Sequence, residues 1–310
     1  MPETNVHTLT DLKIGEPRIA LNLTVVPLSG NPAAALSYLL IDEALEKKKV
    51  LIEEISEGGS VPELRLTSFS DRTVLIVDGT ELVGAKQNRI VNASILIPPK
   101  TVTKIPVSCV EQGRWRYRTR EFQGSRFHAA HRLRKISVEH QKVSLKEKRG
   151  YASDQGMIWS AVGDIASKVG AHSPTGAMND LYEQKEKTID GYLAKIALEG
   201  WETGVAFFIG SKLESLELFD RAATFTGLFR KLLSGVAVEA ITGGSVGKNP
   251  APGNAKTAVR SLLKEIGLAM FEKHQTPVGV GEDWRYDGQQ SFGKTLYFNG
   301  DLIHLSAFRK

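Results

Sequence analysis

Short apolar runs, not long amphipathic ones, dominate the first third of the chain. Residues 19–28, 50–55, 64–69, 73–77, 94–97 and 103–110 are rich in Val, Ile, Leu and Thr and are separated by breakers, which predicts strands. Gly30-Asn31-Pro32 ends the first run and Gly58-Gly59-Ser60 divides the next two. Leu36, Leu39, Leu40 and Ala44 keep helical spacing, so a helix is expected over 33–48. After Trp115, the residues Arg116, Arg118 and Arg120 alternate with Tyr117 and Thr119. Period-two alternation predicts a strand with one cationic face, and 131–143 reads as a further strand.

Beyond residue 150 the period changes. Ile158, Ala161, Val162, Ile165 and Val169 share a helical face, with Ser153 or Asp154 as the N-cap. A second helix is predicted over 178–198, a buried strand over 204–209, helical material over 216–219 and 225–241, and a last helix over 256–273 capped by Asn254. Residues 243–253 read as a breaker-rich loop. Residues 295–298 and 301–308 flank Asn299-Gly300, the pair favoured in a type I′ hairpin. The order of elements lacks regular strand-helix-strand alternation, so the predicted class is α+β: a β-rich barrel or sandwich with a mainly helical insertion. Residues 1–150 would form the β-rich part, 151–275 the insertion, and 276–310 a hairpin returning to the sheet.

The 310 residues are 41% hydrophobic and 24% charged, the make-up of a folded globular protein. No stretch approaches the roughly 20 apolar residues of a membrane span and no leader is evident. Cys109 is the single cysteine, so no internal disulfide is possible and a cytoplasmic location is expected. From Arg114 to Arg149 there are twelve Lys/Arg against three Asp/Glu, a net +9 in a chain whose total is +5. One segment therefore carries the basic character, suited to phosphate, carboxylate or nucleic acid.

The densest polar chemistry lies between the strands of residues 73–115. Asp78, Glu81 and Glu111 are the candidate catalytic carboxylates; Lys86, Gln87, Asn88, Arg89, Asn92, Arg114, Trp115 and, further on, Gln155 are the candidate ligand-binding residues. Acids, amides and bases together suit a hydroxyl-bearing anion: an Arg fork takes the phosphate or carboxylate while Asp78 or Glu81 accepts from hydroxyls. The plain alternative is a polar connection that turns a hairpin. Glu111 beside Arg114 is either a general base or half of an ion pair. Cys109 is either packing or a nucleophile that would need its pKa lowered. His128-x-x-His131 lacks supporting metal ligands, and Gly243 to Lys248 has the wrong spacing for a phosphate-binding loop. No metal is indicated and no cofactor can be named.

The wording VDGTELVGAKQNRIVNASILIPP, then IPVSCVEQGRW, then SDQGMIW resembles the bacterial family called the ARG and rhodanese-phosphatase-superfamily-associated protein domain, a domain of unknown function, over most of the chain from about Leu21. The resemblance implies no reaction. The family's name records association with ADP-ribosylglycohydrolase-like and rhodanese-like phosphatase domains, which implies nucleotide, ADP-ribose or phosphate metabolism by association alone. The expected function is binding, with processing as a further step, of a small anionic nucleotide- or ADP-ribose-like ligand in a polar pocket. The alternative is a nucleic-acid-binding module that uses the surface from Arg114 to Arg149, with Trp115 and Tyr117 as stacking platforms.

Overall fold

The apolar runs of the first third close into a barrel. The structure, a computed structural model, describes Leu9 and residues 11–30, 33–243 and 248–310; the Asn31-Pro32 breaker and residues 244–247 of the loop after Gly243 lie outside them. Six strands, β5 (Val50–Glu54), β6 (Glu63–Ser68), β8 (Thr80–Gly84), β9 (Arg89–Val91), β11 (Val102–Cys109) and β12 (Phe122–His128), pair in the order β12-β8-β9-β11-β6-β5. A bridge between Glu53 and Glu121 brings the two edges of this sheet together. Alternate residues point inward: Ile52, Leu64, Leu66, Leu82, Val91, Ile105, Val107 and Phe122 form one core cluster, as period-two side chains on a curled sheet must.

A small sheet of β4 (Tyr38–Leu40), β7 (Thr73–Ile76) and β10 (Ile95–Ile97) lies against this barrel. Its Val74, Ile76, Ile95 and Ile97 join the barrel core, whereas Leu75, Val77 and Leu96 join the larger core beyond. Every residue of β7 and β10 is consequently buried, which explains apolar runs without alternation.

A nine-stranded sheet forms the other half. It is built from β1 (Lys13–Ile14), β2 (Arg18–Ala20), β3 (Leu23–Ser29), β13 (Gly204–Ile209), β14 (Lys212–Phe219), β15 (Phe271–Gln275), β16 (Glu282–Asp287), β17 (Ser291–Phe298) and β18 (Asp301–Arg309), ordered β1-β3-β13-β14-β18-β17-β16-β15 with β2 on β3. Helix α5 (Ala222–Thr242) shares one core with Val25, Phe207 and Ile303, together with α3 (Gln155–Val169) and α4 (Met178–Leu193). Helix α6 (Pro252–Leu268) covers the opposite face through Val259, Leu262 and Leu263. Among the described residues the remaining helices are α1 (Ile41–Glu46) and α2 (His131–Lys146). The protein is α+β.

Several expectations are corrected. The closing hairpin does form, with Asn299 and Gly300 at positive φ (51° and 88°), but β18 pairs with β14 and reaches β3 only through β13. The segment 151–275 therefore contributes three strands to the sheet that joins chain start and end. Residues 216–219 are strand, not helix, and α6 ends at Leu268, short of β15. The helix expected over 33–48 is a six-residue helix, Ile41–Glu46, preceded by β4. The predicted strand over 131–143 is helix α2, whose buried positions include His131, Arg134, Ser137, Val138, Gln141 and Ser144. Polar residues occupy its buried face, so hydrophobicity alone did not display the 3.6-residue period. The alternating arginines after Trp115 lie on a loop, held by the Arg118 N–H donating to the Ala85 carbonyl at 2.9 Å and by Arg114 donating to the Gly84, Ala85 and Arg116 carbonyls.

Candidate functional site

The hairpin β8–β9 turns through Ala85, Lys86, Gln87 and Asn88, so these side chains diverge from a turn instead of lining a strand. Gly84 and Ala85 have positive φ (131° and 38°), and the Asn88 side chain closes the turn by accepting from the Gly84 N–H at 3.2 Å. The turn sits at one end of the barrel, beside the ends of β5 and β11. Glu54 continues the inward series Val50, Ile52; Cys109 continues Ile105, Val107; Arg89 shares the inward face of Val91. All three are buried.

Glu111 and Arg114 lock the neighbouring loop. Arg114 donates from Nε to Glu111 Oε1 at 2.8 Å and from Nη2 to Oε2 at 2.7 Å, the bidentate fork. It also donates to the carbonyls of Gly84, Ala85 and Arg116. Glu111 accepts two more hydrogen bonds, from the Asn88 N–H at 3.0 Å and the Thr175 hydroxyl at 2.8 Å. Despite burial, this set of donors, with the Arg114 fork foremost, holds its carboxyl below the ordinary range. Four donors leave a poor proton acceptor, so the geometry favours the ion-pair reading over the general base.

Gln155, at the start of α3, pairs with β11 as another strand would: its Oε1 accepts from the Cys109 N–H at 2.8 Å and its Nε2 donates to the Cys109 carbonyl at 2.7 Å. The Cys109 thiol is directed at Gln87 Oε1 (3.2 Å) and the Glu111 carbonyl (3.1 Å). Burial pushes its pKa up in spite of the nearby Arg89, which keeps it a thiol.

Arg89 is different. It has no exposed surface, and only Nη1 makes hydrogen bonds, to Gln87 Oε1 at 3.2 Å and the Asn88 carbonyl at 3.5 Å. Nε and Nη2 have no hydrogen-bond partner among the described residues; Glu54 Oε1 is 3.9 Å from Nη2, and Glu54 Oε2 is also unpartnered. The Trp115 ring, 48% exposed, lies over this pair, 5.8 Å from the guanidinium. Lys86 Nζ stands 5.3 Å from Trp115 and 5.2 Å from Tyr117, while donating to the Glu57 carbonyl. Gly59 belongs to the same wall: a Cβ there would meet Trp115 at 3.2 Å, Lys86 at 3.3 Å and Glu54 at 3.4 Å. An incompletely paired buried guanidinium under an aromatic roof with a second cation beside it is suited to an anion that carries a flat group.

A family model described as the ARG and Rhodanese-Phosphatase-superfamily-associated Protein domain matches residues 11–308. The chain belongs to that family. Searches against curated proteins and against solved structures find no match. In this member of the family, eight of the sequence-predicted residues thus meet at the barrel end: Lys86, Gln87, Asn88, Arg89, Glu111, Arg114, Trp115 and Gln155.

Three do not. Asp78 lies in a separate buried cluster, where Arg134 donates to it from Nε at 3.1 Å, Ser94 donates at 2.9 Å and Lys294 Nζ is 3.1 Å away. Arg134 also holds Glu217 (2.6 Å), whose other oxygen faces His304 Nε2 at 2.9 Å. Burial opposes ionisation of Asp78, but Arg134 and Lys294 overcome it and hold the carboxyl well below its ordinary value. Glu81, on the opposite face of β8 from Leu82, has no exposed surface, and among the described residues neither of its oxygens accepts a hydrogen bond. Asn92 bridges Ser108 and the Tyr151 carbonyl. Sequence reasoning missed Glu54, although an acid as the third inward residue of an alternating strand marks a carboxylate aimed into a core. It also missed the cluster of Glu217, Lys294 and His304, which come from distant strands.

Proposed function

We propose that the protein binds a small anionic nucleotide- or ADP-ribose-like ligand at the mouth of the barrel, in the cytoplasm. The observation that carries this reading is the Arg89 guanidinium, buried with two of its nitrogens lacking hydrogen bonds among the described residues. Such a group is costly to keep, and a phosphate or carboxylate supplies two parallel acceptors to it. Trp115 offers a face for a base, and Glu54 an acceptor for a ribose hydroxyl. The family's recorded association with ARG and rhodanese-phosphatase superfamilies agrees with this ligand class. Glu111 and Arg114 position the loop, so binding is favoured over hydrolysis.

The test is thermal-shift screening of wild type and Arg89→Met against nucleotides, ADP-ribose and sugar phosphates, because selective binding to the native state raises apparent stability. Wild type is expected to gain stability with at least one of them, and Arg89→Met to lose that gain while remaining folded without ligand. Arg116→Ala and Arg118→Ala, on exposed loop positions, should change little. The competing nucleic-acid reading requires tight oligonucleotide binding with a log–log salt slope of about −0.7 per phosphate contact on single strands, unaffected by Arg89→Met. Two of its arginines, Arg114 and Arg134, are buried in ion pairs, which weakens that track.

A further inference from the structure

A cleft lies apart from the barrel mouth, between α2 and the last strands of the nine-stranded sheet. It encloses about 460 Å³, within the roughly 300–1,000 Å³ of small-molecule sites. Its wall is apolar: Val138 from α2, Phe271 from β15 and Phe292 from β17 line it. Met270 stands at its lip, 93% exposed.

The charges around this wall do not balance. Lys142 and Lys146, one helical turn apart, His274 and Arg285 line the cleft together with Glu272 and Asp287. Asp287 is shared between Lys142 and Lys310, the latter at 2.8 Å, and His274 faces Glu272 at 3.8 Å. Lys146 makes no ion pair among the described residues. Arg285 is only 7% exposed, lies over the Tyr151 ring at 5.0 Å and donates to Asp283 at 2.9 Å and to Gln141 at 2.8 Å, leaving Nη1 without a hydrogen-bond partner among the described residues. The surplus is positive and sits beside the apolar wall. Hydroxyl and amide groups that would read a sugar are scarce: the Tyr286 hydroxyl already bonds Ser291 at 3.2 Å.

We propose that this cleft binds a small amphipathic monoanion, a medium-chain or aryl carboxylate. Its tail lies against Val138, Phe271 and Phe292, and its carboxylate is taken by Lys146 and Arg285. The site is independent of the barrel mouth in residues and in ligand chemistry. Calorimetric titration with decanoate, decanol and decyltrimethylammonium, each below its solubility or micellar limit, tests it. Decanoate should bind one to one and about tenfold more tightly than either of the others, the value of one charge-assisted contact. Two exposed substitutions, Lys146→Glu and Met270→Asp, should each weaken decanoate by about fivefold or more without lowering the unfolding temperature, and Arg89→Met should leave it unchanged. The proposal is overturned if decanoate does not bind, if decanol matches it, if neither surface substitution weakens it, or if Arg89→Met abolishes it.

Discussion

Glu81 carries into the interior a carboxyl that accepts no hydrogen bond among the described residues, and its protonation follows from that. Burial pushes its pKa up from 4.5 to about 8, which Lys231 only partly offsets. Between those two values the folded chain keeps the proton and the unfolded chain does not, so unfolding releases a proton and stability falls as pH rises. The limiting slope for one group is about 1.4 kcal/mol per pH unit. Glu81→Gln retains the shape and removes the titration; its stability relative to wild type should therefore increase steadily from pH 5 to pH 8 in urea unfolding. Parallel curves for the two proteins would mean that the carboxylate is stabilised in the fold after all. Asp78, next but two in the sequence, behaves oppositely because Arg134 and Lys294 reach it. Two neighbouring acids thus take opposite protonation states from what lies across from them.

Helix α5 is positioned by a close approach to the barrel. A Cβ on Gly235 would stand 2.5 Å from the Ala129 carbonyl oxygen, just after β12, a distance that ordinary contacts do not allow. Glycine lets the helix touch this backbone while Ser234 reaches the His128 N–H at 3.4 Å. Gly235→Ala must push helix and barrel apart. Overpacking of this kind costs about 1–3 kcal/mol, whereas Ala would be favourable by propensity in a free helix. Denaturant unfolding with helix content followed by circular dichroism separates these: lower stability with unchanged helicity is expected, and a gain in stability would show that the contact is loose. Helix α3 depends on local chemistry instead, with Asp154 capping the Met157 N–H at 2.9 Å and Gly170 closing it in the left-handed conformation.

At the scale of the whole molecule, buried charges join its parts. Asp78 follows β7, Arg134 belongs to α2, Glu217 to β14, Lys294 to β17, and His304 to β18, so one polar cluster ties the barrel side to the large sheet. The pH dependence of stability follows from this cluster and its neighbours. Burial and Arg134 lower His128 and His131 from 6.5 to about 3. Below pH 6.5 the unfolded chain takes up protons that the fold refuses, and stability falls as pH drops toward 3. Glu217, held down to about 2 chiefly by Arg134 against its burial, adds to that loss below pH 4.5. On the alkaline side Glu81, with Glu214 and Glu239 also raised by burial, makes stability decline with rising pH. Maximum stability is expected between pH 4.5 and 6.5, with the steeper limb on the acid side. Denaturant midpoints measured from pH 3 to 9 check this, and an optimum above pH 8 would contradict the assignment of these buried groups. No helix among the described residues is long and apolar enough to cross a membrane.

Local chemistry was legible from the sequence wherever neighbours along the chain decide the outcome. The apolar runs became β5, β6, β7, β10 and β11; Asp154 capped its helix; Asn299-Gly300 turned its hairpin; and the wording from Val77 to Trp115 identified the family. The polar stretch also did bring Lys86 to Arg89 together with Glu111, Arg114 and Trp115. What tertiary structure alone decided was the fate of each polar group. Whether Asp78, Glu81 or Arg89 is paired depends on residues up to about two hundred positions away, and no period or propensity encodes that distance. Helix α2 escaped recognition for the same reason: its buried face includes His131, Arg134, Ser137 and Gln141, and Arg134, Ser137 and Gln141 each bond a group from another part of the chain. A polar residue becomes interior only when a distant group satisfies it, so burial of such residues is a property of the assembled fold.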